Sequence, residues 1–441
     1  MHLRLDPVLF LYMFTSFLKY PVFQSLIYEK VCYQDDNPLN GTFVDCKNLT
    51  QIHHNNNYQE KSNHVYLVSS LCLTLPSLIS ALILGKVYDT GSHTKLSLII
   101  PFFGLILNDA NYIIQAFYIK SNPYYLVISD VLFGICGGYT AIMGLINSYN
   151  VRSTLNSDRS KRISRFEGSI AMGATLGSAL SGIMRESLGY TYLFGLILSL
   201  HCLCLLYVVL IVQNDVIDED DRTRKESLQC LIVDVFKPIL VQGISKIILA
   251  SIFVCLSIEL FAYSGVSDIQ YSYFLYKFAW GDKSFGLFSG LSSGISGIGV
   301  LFLYPILINR FAISNHVLAI VGFCTKIITF FLMVFINDGS WIFLCLVPAL
   351  FSRFIATGLR SLASQNTSTD QQGKLFTFVE MVQGITSLIS SLVYNSLYPQ
   401  TLSFFSGTMF LVSAVICVIP LLILIKLHFI IKKLDCKDDI I

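Results

Sequence analysis

Apolar residues fall in blocks about twenty long, separated by short polar clusters, over most of the chain. A helix needs about twenty apolar residues to cross the ~30 Å hydrocarbon core of a bilayer, so blocks of this length predict membrane spans. Read between the polar breaks they predict twelve helices, at about 8–28, 65–87, 97–118, 123–148, 166–186, 191–213, 244–266, 284–308, 316–336, 341–363, 374–397 and 403–428. The first block is too long for a cleaved signal peptide and carries Lys19 and Pro21. The expected class is an all-α polytopic membrane protein.

Composition agrees with that pattern. Of 441 residues 54% are hydrophobic and 13% charged, and the mean hydropathy is +0.64. A soluble domain carries about 25% charged residues. The net charge of +2 offers no basic excess for nucleic acid. With both termini placed in the cytosol, nineteen of the thirty Lys and Arg fall on the cytosolic side, seven opposite and four within spans. That bias is the positive-inside pattern. The same topology puts segment 29–64 outside, where the sequons at Asn40 and Asn48 predict glycosylation. Cys32 and Cys46 also lie in that oxidising segment and are expected to pair. The sequon at Asn366 falls on the cytosolic side and is expected to be silent.

The polar stretch 214–243 divides the chain into a six-helix half at 1–213 and another at 244–441. Two such halves joined by a cytosolic linker resemble the layout of major facilitator transporters, with the substrate cavity between the halves. Between helices two and three, Gly85-Lys-Val-Tyr-Asp89-Thr-Gly91 resembles the gating-loop motif of that superfamily, with His93 where its first arginine stands. Gly91 permits a tight turn and Asp89 can cap or pair with a neighbouring helix end; an ordinary polar turn is the alternative. Helix five carries Gly168, Gly173, Gly177 and Gly182, a smooth face for close helix packing.

Ionisable residues inside spans are costly in lipid and therefore informative. They are Lys19, Asp109, Asp130, Glu167, Glu259, Arg353, Arg360 and Glu380. Asp109 and Arg353 are placed near helix ends, where snorkelling or a local hydrogen bond accounts for them. Glu259 and Glu380 read equally well as functional acids or as structural partners of an Arg. Glu167 and Arg360 are the functional candidates: desolvation raises a buried Glu towards neutral pH, and a guanidinium that cannot discharge needs an anionic partner or substrate. Lys19 offers a second positive charge.

Asn395-Ser-Leu-Tyr-Pro-Gln-Thr-Leu-Ser-Phe404 and Asp370-Gln-Gln-Gly-Lys-Leu-Phe376 resemble signatures of solute carrier family 46, the proton-coupled folate transporter family. Gly134-Ile-Cys-Gly137-Gly138, Ser164-Arg-Phe-Glu167 and Pro21 extend the resemblance along the chain. It implies proton coupling at Glu167, with Asp89 matching the family's loop aspartate, and a substrate and proton role for Arg360. Ile135, His93 and Tyr263 depart from the family's aspartate, arginine and histidine, which leaves the solute open. The expected function is proton-coupled secondary transport of a small organic anion, folate-like or related. The alternatives are an endolysosomal exporter of muramyl-peptide-like or other small metabolites, and a non-transporting transporter-like receptor. No nucleophile–base or metal constellation and no nucleotide-binding loop is present, so no enzyme and no cofactor is expected, with the proton as coupling ion. The plasma membrane and the endolysosomal membrane both suit such a protein.

Overall fold

The computed structural model describes residues 5–34, 46, 55–89, 94–152, 159–212, 244–367 and 372–438. Among these every regular element is helical. The helices are α1 (Asp6–Gln34), α2 (Asn56–Asp89), α3 (Thr94–Phe117), α4 (Tyr125–Ile135), α5 (Gly138–Arg152), α6 (Arg159–Ile211), α7 (Ile244–Phe278), α8 (Asp282–Ile298), α9 (Tyr304–Phe311), α10 (Asn315–Phe335), α11 (Leu346–Ala349), α12 (Phe354–Gln365), α13 (Gln372–Thr401) and α14 (Thr408–Asp438). A π-helical turn, Gly299–Leu303, joins α8 to α9. Nine helical stretches among the described residues are long and apolar enough to cross a membrane.

Three differences from the sequence reading have local causes. The span read at 123–148 is broken between α4 and α5, where Gly137 and Gly138 take φ of 107° and 54°. Only glycine adopts such values readily, and Ser77 Oγ donates to the Gly137 carbonyl at 2.8 Å. Helices five and six run together as α6, meeting at Gly189 with φ 71° and ψ 173°. Finally, α1 and α2 reach into the segment read as an outer loop, and α7 continues to Phe278 where a loop from 267 was expected. The extension of α7 is polar in sequence but buried: Tyr271, Tyr273, Phe274 and Leu275 are all without exposure. Phe274 packs edge-on against Phe278, Trp280 and Phe285.

Two compact units emerge. The first comprises Met1–Thr223, Ile269–Gly294 and Asn395–Ser406; the second comprises Arg224–Asp268, Ile295–Tyr394 and Gly407–Ile441. In the first, the glycine face of α6 packs on α1. A Cβ at Gly173 would lie 2.7 Å from Met13 Cβ and 2.9 Å from Phe14 N, and one at Gly177 would overlap the Phe14 carbonyl. Gly182 meets Lys283 at the start of α8 in the same way. Arg185, one turn further on, donates from Nη2 to Asp282 at 2.7 Å and from Nε to the other carboxylate oxygen at 2.5 Å. At one end of α1, Lys30 is fully buried, and its ammonium donates to Ser121 Oγ at 2.8 Å and the Tyr118 carbonyl at 3.0 Å. These oxygens follow the C-terminus of α3, where the helix dipole favours a cation. Burial lowers the Lys30 amine to about 8. Cys32, nearby in sequence, is bonded to Cys46, as expected.

The second unit contains Gly322 of α10 against Ile355 of α12, and Tyr304 against Phe354 at 5.0 Å between ring centres. Tyr394 of α13 donates to or accepts from Ser413 of α14 at 2.7 Å.

The glycine stripe is thus not uniform. Gly168 would meet nothing within 4 Å among the described residues. Gly177→Val should lower stability by about 1–3 kcal/mol through overpacking, whereas Gly168→Val should stay within about 0.5 kcal/mol. Thermal unfolding of the two purified variants in one detergent checks this; equal midpoints would contradict the α1–α6 packing.

Candidate functional site

The polar residues of the first unit converge. On α1, Thr15 and Lys19 are one turn apart and share a face; on α3, Asn108 and Tyr112 do the same, with Asp109 beside them. Lys19 Nζ donates to Asn108 Oδ1 at 3.0 Å and stands 3.5 Å from Asp109 Oδ1. It also lies over the Tyr112 ring, 5.0 Å from its centre. Asp109 is completely buried, and its other oxygen, Oδ2, contacts His201 Nδ1 of α6 in a short hydrogen bond. His201, equally buried, reaches Thr15 Oγ1 with Nε2 at 2.6 Å.

Asn108 continues the network from its other end. Its Nδ2 donates to Asp130 Oδ1 on α4 at 3.1 Å. Asp130 accepts two further bonds, from Tyr112 OH at 2.7 Å and from Ser69 Oγ on α2 at 2.6 Å. Four helices therefore meet on one chain of polar contacts running Thr15, His201, Asp109, Lys19, Asn108, Asp130, and Ser69 joins a fifth, α2, to its end. Moving a charge from water to a low-dielectric interior costs several kcal/mol, and partners offset that cost only when hydrogen bonding is nearly complete. Asp130 meets this condition with three donors. Asp109 Oδ1 does not: among the described residues it has no hydrogen-bond donor, and Lys19 faces it at ion-pair distance only. Lys19 keeps 16% of its side-chain surface exposed and is the accessible edge of the network.

The candidate residues read from the sequence distribute unevenly. Lys19 is in the network. Arg360 is on α12 in the second unit, half-buried, and its Nη2 donates to Gln383 Oε1 at 3.1 Å. Glu167 lies on α6 and Asp89 ends α2, but both side chains are outside the described set, as are Gly91, Asn40, Asn48, the linker 214–243 and the side chain of Glu380. Gly85 meets nothing within 4 Å. Asn366 follows the end of α12 and donates from its amide to the Leu362 carbonyl at 2.8 Å. Arg353 donates to Ser296 Oγ at 3.3 Å.

Two assignments change. Asp109 is no helix-end residue; it is buried within α3 and paired on both sides. Glu259 finds a lysine rather than an arginine: Lys326 Nζ donates to its Oε1 at 2.6 Å, with the Tyr263 ring 5.1 Å from the same ammonium. His201 was missed altogether. Its signal in the sequence is a histidine in the middle of the apolar run Leu196–Leu206.

The family follows from this architecture and from comparison. The sequence model of the Major Facilitator Superfamily matches residues 8–391. The chain belongs to that superfamily and is a multi-pass membrane transporter. Its relatives support the resemblance to solute carrier family 46. It is 26% identical over 439 residues to the lysosomal proton-coupled steroid conjugate and bile acid symporter SLC46A3 of Gallus gallus, covering 95% of this chain and 92% of that one. It is 23% identical over 429 residues to the proton-coupled folate transporter of Rattus norvegicus, covering 95% and 90%. Among solved structures, the human organic anion transporter MFSD10 (TETRAN) superposes with a TM-score of 0.65 at 14% identity, covering 96% of this chain and 99% of that one. An auto-inhibited POT family peptide transporter gives 0.63 at 12%, covering 95% of each. At these identities the superpositions show the fold.

The Glu259–Lys326 pair has side-chain exposures of 6% and 7%, so little water reaches either charge. Breaking it by Lys326→Met should cost about 3–5 kcal/mol by stranding a buried carboxylate. The double variant Glu259→Gln/Lys326→Met should recover a substantial part of that loss. A double-mutant cycle in thermal or denaturant unfolding measures the coupling, and a double variant no better than Lys326→Met would argue against the pair.

Proposed function

We propose that the protein is a secondary transporter that moves an amphipathic organic anion together with protons. The observation that carries this reading is Lys19, a cation inside a spanning segment whose side chain is part-exposed and which meets Asp109 Oδ1 at ion-pair distance only. A fully structural charge would be closed off, as Lys326 is. Lys19 is therefore available to an anion entering from its exposed side. Arg360 supplies a guanidinium that cannot discharge, suited to holding a carboxylate or sulfate by paired hydrogen bonds. The names of the relatives, a steroid conjugate and bile acid symporter and a folate transporter, both describe organic acids moved with protons. These names support an organic acid of that general kind, the word lysosomal in one of them supports an endolysosomal membrane, and the bias of Lys and Arg along the chain supports cytosolic termini.

Glu167 is the proposed proton carrier by family resemblance, with Asp89 and Gly91 in the loop that latches the cytosolic face. Asn40 and Asn48 are the proposed glycosylation sites.

Acid-gradient-driven uptake of taurocholate, a steroid sulfate and folate into vesicles containing the purified protein tests the reading. Lys19→Ala and Arg360→Ala should each raise the half-saturating concentration of the transported anion about ten- to a hundredfold, the worth of one charge-assisted hydrogen bond. Arg360→Lys should have a smaller effect in the same direction. Glu167→Gln should still exchange labelled anion at equal pH but should not accumulate it against a gradient. No acid-stimulated uptake of any of the three anions would sink the reading.

A further inference from the structure

We infer that Asp109 and His201 form a proton-binding site that is loaded when an anion draws Lys19 away, so that the anion takes the cation of the Lys19–Asp109 contact and the proton takes its carboxylate. This rests on the proposed transport of an organic anion and adds, in the same unit as Glu167, a second group that takes up a proton as the anion binds.

Hydrogen-bond bookkeeping leads to the site. Thr15 has one hydroxyl proton and three partners: the Leu11 carbonyl at 2.8 Å, the Tyr12 carbonyl at 2.9 Å and His201 Nε2 at 2.6 Å. A carbonyl only accepts. If the hydroxyl proton goes to either carbonyl, the contact with Nε2 is made by an Nε2–H donating to Thr15. The bond between Nδ1 and Asp109 then needs a proton of its own, and the pair holds two protons. If instead the hydroxyl donates to Nε2, the imidazole is neutral with its single proton on Nδ1 facing an ionised Asp109, and the pair holds one. The same heavy-atom positions thus serve two states that differ by one proton, and the switch is a rotation of the Thr15 hydroxyl. Little reorganisation is needed, which suits a group that must load and unload repeatedly.

Lys19 sets the balance between these states. In the one-proton state the pair is anionic and Lys19 at 3.5 Å is its compensating charge. When an anion takes Lys19, Asp109 Oδ1 loses its only facing cation, because no donor replaces it among the described residues. The remaining surroundings do not compensate. Tyr12 and Lys19 face the pair from α1, Tyr112 faces Asp109 from α3, and the carboxylate of Asp130 on α4 lies behind Asn108. Cys204, one turn along α6, points to the Val8 carbonyl. A buried anion next to a second carboxylate recovers neutrality by binding a proton. Anion and proton binding are therefore mutually favourable, and linkage makes the effect reciprocal.

Taurocholate is a suitable probe because its sulfonate stays ionised throughout the accessible pH range; a proton taken up with it binds the protein. In the wild type the affinity for taurocholate should rise up to tenfold per unit of acidification across the loading range, the slope for one linked proton. A weakly buffered solution with an indicator dye should report up to one proton taken up per anion bound. His201→Gln and Asp109→Asn should each lose that slope and that proton uptake, while Glu167→Gln should keep both. Thr15→Val tests the site with a milder change: both states lose the bond at Nε2, but the loaded state loses the stronger, charge-assisted one, so the loading range should move to lower pH. Elution profile and unfolding midpoint report the folding of each variant.

The wild-type slope persisting in both His201→Gln and Asp109→Asn, or a Thr15→Val range coincident with the wild type, would overturn the site while leaving proton-coupled transport standing. A wild type with proton-driven accumulation but no pH slope in binding would do the same. A wild type that neither accumulates anion against a proton gradient nor binds it more tightly in acid would overturn the transport reading as well.

Discussion

Hydrocarbon cannot solvate charge, and this one constraint organises the polar interior of the molecule. Every charge kept inside a span must be answered by another side chain, so the ionisable residues act as connectors between helices. In the first unit they join α1, α2, α3, α4 and α6 into a single network. In the second they pair locally, as Glu259 and Lys326 do. The contrast lies in completeness. Asp130 receives three donors and Lys326 is closed within its pair, whereas the Lys19–Asp109 contact is left loose at one oxygen. A loose contact costs stability, and such costs are tolerated where binding or switching needs them.

Much of the framework was legible in the sequence, because span length and the period of small residues are set by bilayer thickness and by helix contact. The pairing of Cys32 with Cys46 and the role of Gly173 and Gly177 belong to this class. The site was legible only in part. Lys19 stood out as a charge in an apolar run, but Asp109 was assigned to a helix end, since boundaries inside a polytopic chain blur by several residues. His201 gives no signal in a count of acids and bases; its signal is a histidine in an apolar run, and the structure shows it buried against a carboxylate. The extension of α7 reads as loop because Ser, Asp and Tyr interrupt it; burial of its aromatic faces decides otherwise.

The comparisons separate scaffold from chemistry. Transporters as little as 12–14% identical share the helical frame, and a frame of this kind hosts many solutes. In this chain a buried acid and a buried histidine face each other from α3 and α6, with Lys19 of α1 beside them.

The glycine break between α4 and α5 has a mechanical meaning. Asp130, on the α4 side, is moored to α2 and α3 by three hydrogen bonds, while α5 beyond the break holds none of them. With two successive residues in the left-handed region and no continuous hydrogen-bond ladder across them, bending is concentrated at one joint. The span is therefore two segments with separate duties: the α4 half carries the hydrogen bonds of Asp130, while the α5 half is held by apolar packing of Ala141, Ile142, Leu145 and Ile146.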